Sequence, residues 1–150
     1  MKILKNQRGS LLLNLVVGLG IIALMATISI PYLRKYQPNL KLNGAARDLT
    51  IDLRYAQQLT VTEQKTHLVA LDQAAGKYEI LKVDASTTTV KTVNLDPEIN
   101  FKQITGLTGD QVVFNFYGGV SQSGQVIMTN SNDLDAIINI KPSGYIQLEK

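Results

Sequence analysis

The chain has 150 residues and a formal net charge of +3, with no cysteine, no tryptophan and one histidine. The length favours a single domain with a core of ordinary size. The missing cysteines exclude a disulfide scaffold, cysteine-ligated zinc and thiol catalysis, and one histidine excludes a multi-histidine metal site. Apart from Lys2, Lys5 and Arg8, twelve basic residues face twelve acidic ones. The chain therefore lacks the overall positive charge of a nucleic-acid-binding domain.

Residues 11–30, LLLNLVVGLGIIALMATISI, form an uncharged run long enough to cross a membrane. A helix of this length spans ~30 Å, which is the thickness of the hydrocarbon core. The run is long for a cleaved secretory signal peptide, and no A-x-A cleavage site follows it. Arg34 and Lys35 come directly after it, so the distribution of basic residues does not decide its orientation. A plain single-pass anchor stays an open interpretation.

The segment QRGSLLLNLVVGLGIIALMATISIPYLRKY resembles the N-terminus of type IV pilins and type II secretion pseudopilins. In that family a membrane peptidase cuts after a glycine that ends a short basic leader, and the new first residue is methylated. The resemblance implies cleavage between Gly9 and Ser10 and makes Ser10 the candidate for N-methylation. Pro31 is then the twenty-second residue after the cut, where many pilins have a proline. We expect it to kink the helix without ending it.

Asn14 departs from the family pattern, which usually has glutamate as the fifth residue after the cut. In the family, that carboxylate pairs with the N-terminal amine of a neighbouring subunit during assembly. Asparagine removes the electrostatic attraction, and it also removes a carboxylate insertion cost of about 3 kcal/mol. This departure leads to the hypothesis of a minor or tip-located subunit. The local alternative is that Asn14 caps or hydrogen-bonds near the helix start.

Beyond the apolar run, Pro38 predicts a second break or bend, and an amphipathic helix follows from about Asn39 to about Thr62. Its apolar stripe has spacings of three and four and consists of Leu42, Ala45, Leu49, Leu53, Ala56 and Leu59. Four polar residues fall off this stripe, namely Lys41, Asp48, Asp52 and Gln58. The stripe is expected to pack on a sheet.

From Thr66 onward the apolar period changes to two, which is typical of strands. The predicted strands cover residues 66–72, 77–83, 88–95, 111–117, 124–130, 136–141 and 145–148, and a short restart is placed at 99–101. About seven short strands after one long helix indicate an α+β fold. The order of elements resembles the GspH/FimT group of minor pseudopilins, with Gly119, Gly124 and Gly144 at the positions of their loop glycines. The short head is also similar to competence pseudopilins.

The resemblance implies a pilin-like fold, in which a long N-terminal helix, half transmembrane and half amphipathic, packs on an antiparallel β head. It divides the chain into a prepilin leader at 1–9, a hydrophobic transmembrane or filament-core helix at 10–35, and an amphipathic helix with its β-sheet head at 36–150.

No catalytic constellation is present in the sequence, so no enzyme, cofactor or metal site is predicted. His67 is alone in a predicted strand and is interpreted as a surface or edge histidine. The run NSNDLD at 130–135 has oxygen ligands of the kind calcium prefers. It lacks the EF-hand spacing and its bidentate glutamate, which favours a solvated polar turn.

DNA binding is a separate hypothesis, because some FimT-like minor pilins bind DNA through arginines beside the glycine that starts the final strand. Here Gly144 is followed by Tyr145 and no arginine lies near. The candidate contacts are Lys141, Tyr145 and Lys150, since cations contact phosphates and tyrosine can stack on a base. An aromatic residue in the sheet core is the alternative for Tyr145.

Together these features predict a minor pilin or pseudopilin, a structural subunit of a type IV pilus, a type II secretion system or a competence pseudopilus. The implied partners are other pilin subunits, a prepilin peptidase and an inner-membrane assembly platform. The precursor is expected in the cytoplasmic (inner) membrane with its head outside the cytoplasm, and later in a filament. Two alternatives stay open: a filament-tip pilin that binds DNA or substrate in natural transformation, and a single-pass anchored β domain that never polymerises.

Overall fold

The computed structural model describes residues 8–149, with side chains from residue 12 onward. Helix α1 spans Arg8–Glu63 and is followed by eight strands. These are β1 (Thr66–Asp72), β2 (Lys77–Val83), β3 (Thr87–Asn94), β4 (Ile99–Thr105), β5 (Gln111–Phe114), β6 (Gly124–Asn130), β7 (Asp135–Ile140) and β8 (Ile146–Glu149). A short 3₁₀ turn, Thr108–Asp110, precedes β5.

The chain divides into two compact units between Gln37 and Pro38. In the first unit, α1 continues through Pro31, as expected, and a kink there stays a prediction. The break at Pro38 is not found, because α1 also continues through this residue, and the alternative of a bend there stays a prediction. One lost backbone hydrogen bond is tolerated when the flanking turns are held by packing, and Pro38 itself is buried.

The second unit contains two antiparallel four-stranded sheets. The first sheet has the order β3-β2-β1-β5, and the second sheet has the order β4-β6-β7-β8. Alternating burial in β6 and β7 leaves one face of the second sheet in the core, as period-two sequences predict. In the first sheet β2 and β5 alternate, whereas β1 has three consecutive buried residues. The α+β fold with a helix packed on an antiparallel head is confirmed.

The apolar stripe of α1 forms one side of the core. Its fully buried members are Leu42, Ala46, Leu49, Leu53 and Ala56, each exposed by 3% or less. They pack in one cluster with inner-face residues of both sheets. Ala45 and Leu59, which the pattern also placed on the stripe, are only partly buried, and Ala46 takes the buried position.

Two strands differ in length from the prediction. β5 ends at Phe114 because the Asn115 side-chain oxygen accepts the backbone N–H groups of Tyr117 and Gly119, both at 3.0 Å. This Asx-type turn takes the chain out of the ladder. β4 runs on to Thr105, past an irregularity near Lys102 that interrupts the apolar alternation.

Candidate functional site

The apolar segment of α1 is exposed along its length in the part of the chain that the structure describes. From Leu12 to Ile30 every large apolar side chain is between 51% and 69% exposed. The helix contains a window with a mean hydropathy of 2.3, of which none is buried. A helix that is apolar on all sides requires a lipid or protein environment. This segment is therefore long and apolar enough to cross a membrane.

The polar residues of this segment differ in how they are satisfied. The Thr27 hydroxyl donates to the carbonyl of Ala23 at 2.8 Å, which is common in apolar helices. Asn14 is exposed, and its carboxamide has no hydrogen-bond partner among the described residues. Gly9 and Ser10 lie in the first turn of α1, where only the backbone is described, and most of the predicted leader at 1–9 lies outside the described residues.

Asp52, which the pattern placed off the apolar stripe, is in fact 4% exposed. Its carboxylate accepts the hydroxyl of Tyr78 at 2.7 Å and the ammonium of Lys91 at 2.7 Å. Burial, reinforced by this hydrogen bond, raises the pKa of Tyr78 well above its ordinary value. The expectation failed because the first sheet covers this flank of the helix and supplies both partners.

His67 is not the surface or edge histidine that the sequence suggested. It is fully buried on β1, which is a central strand of the first sheet. Its backbone N–H donates to the Thr60 hydroxyl at 3.1 Å, and its Nδ1 donates to the carbonyl of Lys65 at 3.0 Å. The ring closes the end of the core where α1 turns into β1. Its Nε2 lies 3.8 Å from the Glu63 carboxylate, beyond hydrogen-bond distance, and has no hydrogen-bond partner among the described residues. The contacts of the backbone N–H and of Nδ1 give this residue a structural role at the start of β1.

Gln57, which the sequence did not single out, connects two loops to the helix. Its side-chain nitrogen donates to the carbonyl of Gly118 at 2.5 Å and to that of Gly144 at 3.1 Å. A further backbone bond joins Val120 to the carbonyl of Pro142 at 3.1 Å. The loops before β6 and before β8 are therefore fixed to each other. This role of Gln57 could not be predicted, because two carbonyls from distant loops that meet at one side-chain amide produce no local sequence pattern.

The DNA-contact candidates occupy the second of these loops. The Lys141 ammonium lies 5.4 Å from the centre of the Tyr145 ring, within range of a cation–π interaction. Tyr145 is 55% exposed, so the sheet-core alternative for it is wrong. β8 begins one residue later, at Ile146, whose side chain takes the inward position. Lys150 lies outside the described residues.

The run at 130–135 forms a turn in which the Asn130 side chain is hydrogen-bonded within the chain. Its oxygen accepts the backbone N–H groups of Asn132 and Leu134 at 2.9 and 3.1 Å. Its nitrogen donates to the Asn39 side chain on α1 at 2.9 Å. No group of three or more metal-ligating side chains occurs in the part of the chain that the structure describes.

No protein-family model and no curated protein sequence matches the chain. Several solved structures do. The minor pseudopilin EpsH of the type 2 secretion system of Vibrio cholerae has a TM-score of 0.64 at 12% identity, covering 73% of this chain and 96% of that one. The type IV minor pilin FimU of Pseudomonas aeruginosa has a TM-score of 0.61 at 16% identity, covering 77% of this chain and 92% of that one.

The chain therefore has the pilin-like fold found in minor pseudopilins and minor pilins. At these identities the similarity establishes the fold, and function has to be argued from the residues of this chain.

Proposed function

We propose that this protein is a structural subunit of a pilus-like filament, namely a minor pilin or pseudopilin and not an enzyme. The supporting observation is an apolar segment, Leu12 to Ile30, that is exposed on all sides in a chain whose other unit has the pilin-like head. Lipid covers this segment in the precursor, and neighbouring helices cover it in the filament. The exchange of lipid for protein contacts is driven by packing and not by loss of water.

Processing belongs to the same proposal. A prepilin peptidase cuts between Gly9 and Ser10, Ser10 becomes the methylated N-terminus, and an inner-membrane platform incorporates the subunit. The filament system is a type IV pilus, a type II secretion system or a competence pseudopilus. The head stays outside the cytoplasm throughout.

Asn14 supports a minor or tip position within this proposal. Its carboxamide has no partner in the described chain, so in an apolar environment it is available for a neighbouring subunit. Interhelical hydrogen bonds of this kind contribute about 0.5–2 kcal/mol. Such a bond joins neighbours without the strong pairing that a carboxylate and an amine provide. If Asn14→Glu left incorporation into filaments unchanged, Asn14 would not determine where the subunit lies in the filament.

The test is the intact mass of the protein from cells with and without a functional prepilin peptidase. We expect a peptidase-dependent mass that begins at Ser10, with or without one methyl group. Gly9→Val should leave the full-length mass even when the peptidase is present. Gly20→Val is the matched control, because Gly20 lies within the apolar run with open space where its Cβ would be. A full-length mass in both strains would favour a non-polymerising anchored β domain.

DNA capture receives less support. Nucleic-acid phosphates require several cations. The loop of Tyr145 supplies Lys141, and α1 adds Arg54, whose guanidinium is already engaged with the Ile146 carbonyl at 3.0 Å. The exposed ring nevertheless keeps a stacking surface available. A gel shift of the full chain in detergent, repeated at increasing salt, tests this alternative directly.

A further inference from the structure

The outer face of the second sheet carries a straight row of uncharged polar side chains across its four strands. The strand register pairs Thr105 with Gln125, Gln125 with Asn139, and Asn139 with Gln147. Directly paired residues point to the same face, and neighbouring strands are ~4.8 Å apart, so the row is about 14 Å long. Within it the Gln125 amide donates to the Asn139 side-chain oxygen at 2.8 Å.

A second row lies beside the first. Gly124 pairs with Ile140, which brings Ser123 next to Lys141, and the Lys141 backbone N–H donates to the Tyr145 carbonyl at 2.9 Å. An open groove of about 550 Å³ is lined by members of both rows, including Thr105, Ser123, Gln125, Asn139 and Lys141. Tyr145 and Gln147 are not among the lining residues. The Tyr145 ring lies next to the lining residue Lys141, 5.4 Å from its ammonium.

This composition differs from an ordinary solvated sheet face. Asparagine is depleted in strands, and exposed faces favour threonine and charged pairs. The first sheet follows the ordinary pattern, with Asp72 paired to Lys77 and an ion pair of 2.9 Å between Lys77 and Glu79. The second sheet also has one ion pair, between Lys102 and Asp135, but beside it aligns three carboxamides. Within the described residues, the Gln147 side chain has no hydrogen-bond partner and Lys141 has no carboxylate partner.

We propose that this groove binds a polysaccharide chain that contains acidic sugars. Carboxamides both donate and accept, so a row of them matches the vicinal hydroxyl groups of successive sugar rings. The exposed face of Tyr145 packs against the apolar C–H face of a sugar, and the Lys141 ammonium pairs with a sugar carboxylate. The open shape of the groove suits a polymer that runs across the sheet.

The charge of the groove favours a glycan over a nucleic acid. Lys141 is the only charged residue among the described residues that line it. A nucleic acid carries a phosphate at every nucleotide and is bound through several cations. Each ring of an acidic polysaccharide also offers hydroxyl groups and an apolar C–H face, so its binding depends less on cations even when every sugar has a carboxylate. The inference does not depend on filament assembly, so either proposal can fail without the other.

The experiment measures binding of the full chain in detergent micelles to immobilised polygalacturonate oligomers, with dextran and single-stranded DNA as comparison surfaces. We expect saturable binding to polygalacturonate that exceeds binding to both others. Tyr145→Ala and Gln147→Ala should each weaken it at least tenfold. Tyr117→Ala is the matched control, because Tyr117 is a 96% exposed tyrosine that belongs to neither row and is not the ring beside Lys141. This variant should bind as the parent does.

Lys141→Gln should reduce the affinity for polygalacturonate to that for dextran, since it removes the cation and keeps a polar side chain. The proposal would be overturned by absence of polygalacturonate binding, by an equal loss in Tyr117→Ala, or by tighter binding to DNA. Equal binding of the parent to dextran and polygalacturonate would also overturn it, because the acidic sugars would then play no part.

Discussion

Single polar side chains determine how the first sheet sits on the helix. The buried carboxylate of Asp52 is held between the Tyr78 hydroxyl and the Lys91 ammonium. A buried charge with one partner removed is costly, whereas the complete set satisfies its lone pairs. These contacts tie the hairpin of β2 and β3 to α1.

Tyr78→Phe tests this contact. We expect a loss of about 1–3 kcal/mol in the free energy of unfolding, because Asp52 stays buried with one donor fewer. The raised pKa of Tyr78 means that the folded state holds the phenolic proton more tightly than the unfolded state. The stability that Tyr78 contributes is complete below the ordinary tyrosine pKa of 10.0 and is lost as the pH rises above that value. The stability difference between parent and variant, measured by denaturant unfolding, should therefore narrow above that pH.

A spectroscopic control accompanies this measurement. The chain has six tyrosines, and tyrosinate absorbance should show Tyr78 resisting ionisation until the head unfolds. Ionisation of all six in the folded protein would contradict the buried contact.

Gly144 is a second position where a single added atom, a Cβ, should change the stability of the head. Its φ is +78°, and a Cβ there would collide with the Gly118 carbonyl oxygen and the Gln57 amide. Gly144→Ala should cost more than about 3 kcal/mol of stability, because strain and collision add. Gly76→Ala is the matched control, with a φ of +61° and nothing within 4 Å of its Cβ. It should cost only the backbone strain of about 1 kcal/mol. Equal losses in thermal unfolding would show that the close approach is unimportant.

Local sequence patterns determine where α1 and several strands form, but not which of their polar residues are buried. Spacings of three and four in the helix and alternation in β1, β2, β6 and β7 depend only on neighbouring residues, so these elements were predictable. The buried state of His67 and Asp52 depends on strands that pack against them from elsewhere in the chain. The groove on the second sheet arises from register between four strands, which no local pattern contains.

The two faces of α1 in the head should respond oppositely to charge. Leu53→Asp should destabilise by about 3–5 kcal/mol, since it places an unpaired carboxylate in the core. Ile51→Asp, on the same helix at 53% exposure, should change stability by less than about 0.5 kcal/mol. Circular dichroism during denaturant unfolding in detergent measures both. A comparable loss for Ile51→Asp would mean that this face is also covered.

At the scale of the whole head, ion pairs link segments that are distant in sequence. Lys41 on α1 pairs with Glu98 at 2.8 Å and Asp96 at 3.1 Å, and Lys102 on β4 pairs with Asp135 on β7 at 2.6 Å. A further pair joins Lys65 to Asp84. All are exposed, so each contributes little and is weakened by salt. Their combined effect appears in the pH dependence of stability.

We expect the head to lose stability as the pH falls below the ordinary aspartate range. The backbone N–H of Glu98, followed by Lys41, lowers the pKa of Asp96. Lys65 lowers the pKa of Asp84, and Lys102 lowers that of Asp135. A lowered folded-state pKa gives stability that is present above the unfolded value and is lost as the pH falls through the folded one. Midpoints of thermal unfolding across the acid range should drop less steeply for Asp96→Asn than for the parent.

The double hydrogen bond of Gln57 also limits how this head can change in evolution. One carboxamide fixes the positions of two carbonyls, those of Gly118 and Gly144, in loops that lie apart in sequence. An insertion that moves either carbonyl leaves the amide unable to reach the other. Related heads that keep a glutamine here should therefore conserve both loop lengths, whereas heads that lose it should vary in both loops at once.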